Sequence, residues 1–332
     1  ASIGMVSVPA EVVDYQYLFR AADQACYVAK NEGRNRIHLM PLNAELLYKK
    51  VEESERLQYL TQTLENGQFH LYGQSIEPLS QRVEGRKHME VLLRMKDKDD
   101  KVIAPMAFIP IAERYGLMAD IDSWVLKQVC QHILRSPADD TIYAVNLSDQ
   151  TLSSRDRMHD MLVTITEQQV PAGRLCLEVT ETVAIANLEI ASKYMSVLRE
   201  YGCYIALDDF GSGLSSFSYL STLPLDYIKI DGVFVKSMMR DEASTVMVEA
   251  IHKIADKMGL FTIAEFVEDQ DAVDCLNKIG IDMAQDDGPQ NLFAKLQETY
   301  PNLIINLSDE EVNAAFTDAW LETGKVDGIA DL

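Results

Sequence analysis

The sequence predicts an α/β fold, a (β/α)8 barrel of the TIM-barrel type with a small α+β fragment before it. Eight short apolar runs each end in a polar residue: 69–74, 88–90, 143–146, 175–178, 204–209, 227–229, 262–265 and 282–285. The segments between them carry apolar residues at helical spacing, as over 121–134, 190–201 and 245–258. Strand, helix and strand repeat over roughly 220 residues, close to the ~250 usual for such a barrel. In that fold catalytic groups stand at the C-terminal ends of the strands, which is where these polar residues fall.

Residues 1–41 read as strand, turn and helix: 2–8 alternate, 13–29 are helical, and Gly33-Arg34-Asn35-Arg36 ends the helix. This fragment is too small to hold a core alone. Residues 42–67 form a charged helix with Leu46, Leu47, Leu57, Leu60 and Leu64 along it. It suits either a linker between two domains or a surface helix ahead of the barrel. The barrel is expected over 68–290. An acidic tail, 291–332, has an apolar run at 303–305 and a helix start at Ser308.

Composition narrows the function. Hydrophobic residues make up 47% of the 332, and no apolar run approaches the ~20 needed to cross a bilayer. The opening residues show no basic region before an apolar one, so a cytoplasmic location is expected, compatible with a membrane-tethered parent and without membrane contact from this segment. Five cysteines, none at CxxC spacing, argue against a disulfide framework or structural zinc. A net charge of −22 argues against binding DNA or RNA polymers or anionic lipid. An anionic small substrate would need cations to neutralise it.

The stretch from Tyr204 to Gly213 suggests where those cations sit, because an apolar strand ends there in Asp208 and Asp209 and then a glycine-rich turn. Adjacent acids converge on one ion only where the chain leaves the pleat, which Gly211 and Gly213 permit. A helix cap or turn acid pair fits the same residues. Glu90, Asn146, Glu178, Asp208 and Asp209 together would hold Mg²⁺ or Mn²⁺, hard ions that prefer carboxylate and carbonyl oxygen. Taken singly, Glu90 and Glu178 also suit salt bridges, Asn146 a helix cap, Gln285 an exposed amide, and Lys229 beside Asp231 a surface ion pair. Gly211-Ser212-Gly213 lacks the third glycine of a dinucleotide fingerprint, and Asp209-Phe210-Gly211 has none of the partners of a kinase triplet. The six histidines show no metal-ligand spacing and read as surface or packing residues.

Glu90-Val91-Leu92-Leu93-Arg94, Asn146, Glu178-Val179-Thr180-Glu181-Thr182, Asp208-Asp209-Phe210-Gly211-Ser212-Gly213, Lys229-Ile230-Asp231, Ala264-Glu265-Phe266-Val267-Glu268 and Gln285, in this order, resemble the EAL-domain phosphodiesterases of bacterial cyclic di-GMP signalling. The resemblance spans residues 55–285 and implies hydrolysis of cyclic di-GMP to linear pGpG with two Mg²⁺ or Mn²⁺ ions. It implies that Glu90, Asn146, Glu178 and Asp208 are metal ligands and that Asp209 holds the second ion. Lys229 and Glu265 resemble the pair that orients and deprotonates the attacking water, and Gln285 a further ligand or water-positioning group. Arg94, as a phosphate contact, and Leu92 would meet substrate, while Glu181 would hold the loop after its strand. Residues 22–30 and 33–36 resemble the last part of a GGDEF domain without its signature segment, so no cyclase activity is expected. The family also implies a homodimer through 212–219.

The chain departs from the family pattern in Val91 for alanine, in Phe266 where glycine is common, and in Asp286-Asp287-Gly288-Pro289-Gln290 after the last strand. Phe266 is expected to shift Glu265 or narrow the pocket. A non-hydrolysing cyclic di-GMP receptor on the same barrel, and an enolase-like barrel enzyme using Lys229 as base, remain alternatives.

Overall fold

The computed structural model describes residues 2–7, 15–31, 35–41, 44–83, 85, 87–99, 101–211 and 217–286. The chain divides into two compact units between Gln62 and Thr63. The tail beginning at residue 291 lies outside the described residues.

In the first unit β1 (Ile3–Ser7) pairs in parallel with β2 (Ile37–Pro41), joined by the crossover helix α1 (Tyr15–Asn31). The strand β2 is absent from the sequence reading, because an apolar run that short after Arg36 carries no alternation to mark it. Gly4 lets β1 approach α1 closely. A Cβ there would stand 2.2 Å from the Ala22 carbonyl oxygen and 2.3 Å from the Cys26 nitrogen. The 22-residue helix α2 (Ala44–Glu65) follows.

The second unit contains all eight expected strands: β3 (His70–Pro78), β4 (His88–Lys96), β6 (Ile142–Asn146), β7 (Leu175–Thr180), β8 (Tyr204–Phe210), β9 (Tyr227–Ile230), β10 (Phe261–Val267) and β11 (Met283–Asp286), with a short β5 (Val102–Ile103) turned back on β4. Around them lie α3 (Ile109–Arg114), α4 (Met118–Arg135), α5 (Asp149–Leu152), α6 (Arg155–Glu167), α7 (Glu181–Ala186), α8 (Leu188–Glu200), α9 (Gly232–Ser237), α10 (Glu242–Met258) and α11 (Gln270–Ile279). Asp241 and Asp269 start α10 and α11 by accepting from backbone amides of the first turn.

The strands follow the order β3-β11-β10-β9-β8-β7-β6-β4, and β3 pairs with β4 to close the ring. One strand breaks the regular (β/α)8 pattern: β3 is antiparallel to both β4 and β11. Its connection to β4 is residues 79–87, too short for the crossover of a dozen or more residues that parallel neighbours require. The strand also runs past Gln74 to Pro78, so Gln74 lies level with Glu90 in mid-strand rather than at a C-terminal end.

An apolar plug of Ile76, Ile142, Ala144, Cys176, Ala206, Tyr227, Ile263 and Met283 forms a single buried cluster. Small side chains on β6, β7 and β8 make room for the Tyr227 ring, which packs against Tyr204 at 5.7 Å and Phe261 at 5.6 Å between centroids. Side chains two apart on a strand share a face. The next inward positions above Ala144, Cys176, Ala206, Tyr227, Ile263 and Met283 are therefore Asn146, Glu178, Asp208, Lys229, Glu265 and Gln285. A dry floor of hydrocarbon thus carries a layer of polar groups directly above it.

Candidate active site

Lys229 is at the centre of that polar layer. Its ammonium lies 3.1 Å from Glu90 Oε2, 3.0 Å from Glu178 Oε2, 3.1 Å from Asp208 Oδ1 and 2.9 Å from Glu265 Oε1. The side chain is 1% exposed, which corrects the reading of Lys229 and Asp231 as a surface ion pair. Asp231 instead caps α9, accepting from the Val233 amide at 2.8 Å. Around the lysine, Asn146 Nδ2 donates to Glu90 Oε1 at 2.7 Å and Gln285 Nε2 donates to Glu90 Oε2 at 2.6 Å. Gln285 is buried and hydrogen-bonded, so the exposed-amide reading fails as well.

The surroundings push these acids in opposite directions. Burial opposes ionisation of Glu90, yet Lys229 and the amides of Gln285 and Asn146 outweigh it and hold the carboxyl below its ordinary range. Burial dominates at Glu178, which is raised well above that range despite Lys229, with Glu90 and Asp208 adding repulsion. Glu265 is pushed up to about 8 by burial, against the pull of Lys229. Asp209 is raised by burial and by the charge of Asp208. Burial alone would discharge Lys229, but the four carboxylates drive its affinity for the proton well up.

Asp208 and Asp209 show how neighbours on a strand turn toward one place. Between Leu207 and Phe210 the register of β8 against β9 shifts, and Asp209 takes a φ of 54°. This is a bulge, and it re-aims a side chain at the barrel rim. Oxygens of Asp208, Asp209 and Glu265 all come within 4.8 Å of one another. Buried Glu178 Oε1 and Gln285 Oε1 accept no hydrogen bond among the described residues, and Asp208 Oδ1 has only the Lys229 ammonium at 3.1 Å. Oxygen acceptors gathered in a buried, acid-rich layer without enough donors are the chemistry a hard divalent cation satisfies, so the residues present fit such an ion.

The remaining expected residues frame this centre. Glu181, the first residue of α7, accepts from the Gly211 amide at 3.0 Å through Oε2 and from the Tyr219 hydroxyl through Oε1. It therefore fastens the residues on both sides of 212–216, a segment outside the described residues. Leu92 and Arg94 follow Glu90 at intervals of two along β4, and the Arg94 guanidinium lies 5.6 Å from the centroid of the Tyr72 ring. Phe266 does not displace Glu265, which keeps its contact with Lys229. Its ring instead packs on Gly232.

Asp122 is absent from the sequence reading. Buried on α4, it accepts from the Ser148 amide at 2.9 Å, the Ser148 hydroxyl at 2.6 Å and the Thr151 hydroxyl at 2.6 Å. It thereby fixes the turn two residues beyond Asn146. Burial raises its carboxyl above the ordinary value. Its partners lie 26 and 29 residues away in sequence, and nothing local marks the partnership.

Comparison with known proteins gives a consistent answer. The EAL domain family matches residues 57–286. Cyclic di-GMP phosphodiesterase PdeB of Shewanella oneidensis is 37% identical over 291 residues, covering 86% of this chain and 33% of that protein. Among solved structures, the FimX EAL domain from Pseudomonas aeruginosa bound to c-di-GMP aligns with a TM-score of 0.66 at 25% identity, covering 71% of this chain and 95% of that one. A structure described as "PaMucR Phosphodiesterase, c-di-GMP complex" aligns with a TM-score of 0.65 at 30% identity, covering 70% and 94%. The chain spans about a third of the length of the curated relatives it matches.

Proposed function

This chain belongs to the EAL domain family, and from that premise we propose that it hydrolyses cyclic di-GMP to linear pGpG in bacterial second-messenger signalling. The observation that carries the reading is the ring of Glu90, Glu178, Asp208 and Glu265 around buried Lys229, with acceptor oxygens left over. Among the described residues Lys229 alone pairs with these four acids, an excess of negative charge that suits an enzyme recruiting cations more than it suits a passive receptor.

Two divalent ions, Mg²⁺ or Mn²⁺, held by Glu90, Asn146, Glu178, Asp208 and Asp209, would supply the positive charge that a phosphodiester needs as charge builds on its oxygens. The protein's own groups do the rest. Glu265, in its ionised form, accepts the proton of the attacking water. Lys229, 2.9 Å from that carboxylate, holds it in place and presents positive charge to the developing oxyanion. Gln285 and Asn146 keep Glu90 oriented by donating to its two oxygens. Arg94 contacts phosphate beside Leu92, and Glu181 fastens Gly211 and Tyr219.

The first 41 residues fit the end of a GGDEF domain by their motifs, with 42–67 as linker and 68–290 as barrel. A homodimer through 212–219 rests on the family likeness, and a cytoplasmic location on the scattered cysteines without CxxC spacing. Among the described residues no helix is long and apolar enough to cross a membrane.

The test is incubation with cyclic di-GMP and Mg²⁺ or Mn²⁺, followed by chromatography for pGpG. Turnover in the wild type that is lost in Glu90→Ala and Glu265→Gln is the expected result. Tight binding without product would replace the enzyme by a receptor.

A further inference from the structure

Phe266 directly follows Glu265 and has a φ of 56°, in the left-handed region that a bulky side chain rarely enters. β10 loses its register with β11 at this step, between Ala264 and Val267. The backbone therefore bulges immediately beyond the carboxylate assigned as base. An unfavourable conformation of this kind persists only where its surroundings over-determine it, and here they can be named. The ring lies so close to Gly232 that a Cβ at 232 would stand 2.1 Å from Phe266 Cδ2. The Lys236 ammonium sits 4.1 Å from the ring centroid, and the same ammonium pairs with Glu268 Oε1 at 3.6 Å.

These contacts tie together two corners of the rim. Gly232 opens α9, three residues after Lys229, and Phe266 follows Glu265. The ring bridges the same two strand ends whose inward side chains meet at 2.9 Å. The equivalent bulge in β8 is occupied by Asp209, whose polar side chain turns toward the acids. The aromatic ring at 266 packs away from the polar layer, onto the neighbouring helix.

We infer that Phe266 is a positioning residue: seated on Gly232 beside Lys236, it clamps the β10 bulge so that the Glu265 carboxylate stays in reach of Lys229. It touches no reacting atom. The inference rests on the proposed hydrolysis, and the experiment separates the two.

Phe266→Gly accepts the positive φ without steric cost but removes the ring. With cyclic di-GMP as substrate, the expected result is a fall in kcat of about tenfold with KM held within about twofold, since sub-ångström misplacement of a base acts on the chemical step. Phe266→Tyr keeps the ring and restores kcat. Gly232→Ala pushes the ring off its seat, so it lowers kcat in the wild type but adds no further loss to Phe266→Gly. Hydrogen exchange of the peptide covering 264–268 supplies a readout independent of turnover: it quickens in Phe266→Gly and not in Phe266→Tyr. A wild type without turnover removes the hydrolysis reading and leaves the exchange comparison to decide the clamp. An active wild type with unchanged kcat in Phe266→Gly overturns the inference, as do losses from Gly232→Ala and Phe266→Gly that multiply, or exchange that Phe266→Tyr fails to restore.

Discussion

Lys229→Met removes the ammonium from Glu90, Glu178, Asp208 and Glu265 while leaving its hydrocarbon stem. In the wild type four carboxylate oxygens lie within 3.1 Å of that nitrogen, more than its three protons can serve at once. Losing one partner of a buried ion pair costs about 3–5 kcal/mol, because the charge left behind stays out of water. At roughly 2–4 °C per kcal/mol for a domain of this size, the melting temperature in EDTA should fall by roughly 6–20 °C. The loss should depend on pH. Glu178 and Glu265 already bind protons more tightly in the folded chain than unfolded, and without Lys229 they do so more strongly. A raised carboxyl makes folding less favourable as pH climbs from the unfolded value of about 4.5 through the folded one, and the variant's folded value for Glu265 lies above the wild type's, so the deficit widens as pH rises beyond about 8. Thermal melts in EDTA across that range, repeated with Mn²⁺, provide the assay. Added Mn²⁺ should recover part of the loss by mass action. A fall of less than about 1 kcal/mol near pH 7.5 would refute the view that Lys229 balances this charge.

Other expectations follow from particular contacts. Because Glu265 is raised to about 8, it keeps a proton in the folded chain that the unfolded chain gives up. Its contribution to stability therefore falls as pH rises between about 4.5 and 8, and urea titrations of Glu265→Gln should show a shallower decline over that window than the wild type. Cation binding at about pH 7 should release protons, since the raised Glu265 and Glu178 carboxyls must ionise to face a cation, measurable by calorimetry in buffers of differing ionisation enthalpy. Asp122→Ala leaves three donors without their acceptor and should cost about 2–4 kcal/mol by chemical denaturation, with Asp122→Asn costing less. Gly4→Ala drives a methyl into the backbone of α1 and should speed proteolysis of the first unit while leaving melts of the barrel unchanged.

The strands could be read from the sequence because each is short, apolar and closed by a polar residue. The floor and the polar layer are also legible once positions are taken in twos: Ala206 with Asp208, Tyr227 with Lys229, Ile263 with Glu265. The direction of β3 was not visible, since an apolar run looks alike either way and only the length of 79–87 decides it. The burial of Lys229 was hidden too. A lysine beside Asp231 has the look of a surface pair until the barrel closes and brings in acids from β4, β7, β8 and β10. Asp122 escaped for the same reason, its partners being 26 and 29 residues away and ordinary in their own surroundings. The departure from the pleat at Asp208-Asp209 is announced by the paired acids and the glycines after them, whereas the bulge at Phe266 leaves no such signal because a bulky residue occupies the left-handed position.

The ring of strands is fastened unevenly. Among the described residues β3 is in register with β4 at every position from His70 to Ile76, but with β11 at Ile76, Glu77 and Pro78, where the Gln74 amide adds a bond to the Asp286 carbonyl. Gln285, whose amide steadies Glu90, is one of the residues on that short join. A barrel that begins to part at the β3–β11 join loses a hand on its acid before its hydrocarbon floor is wetted, so heat or denaturant should silence the chemistry while most of the secondary structure still stands.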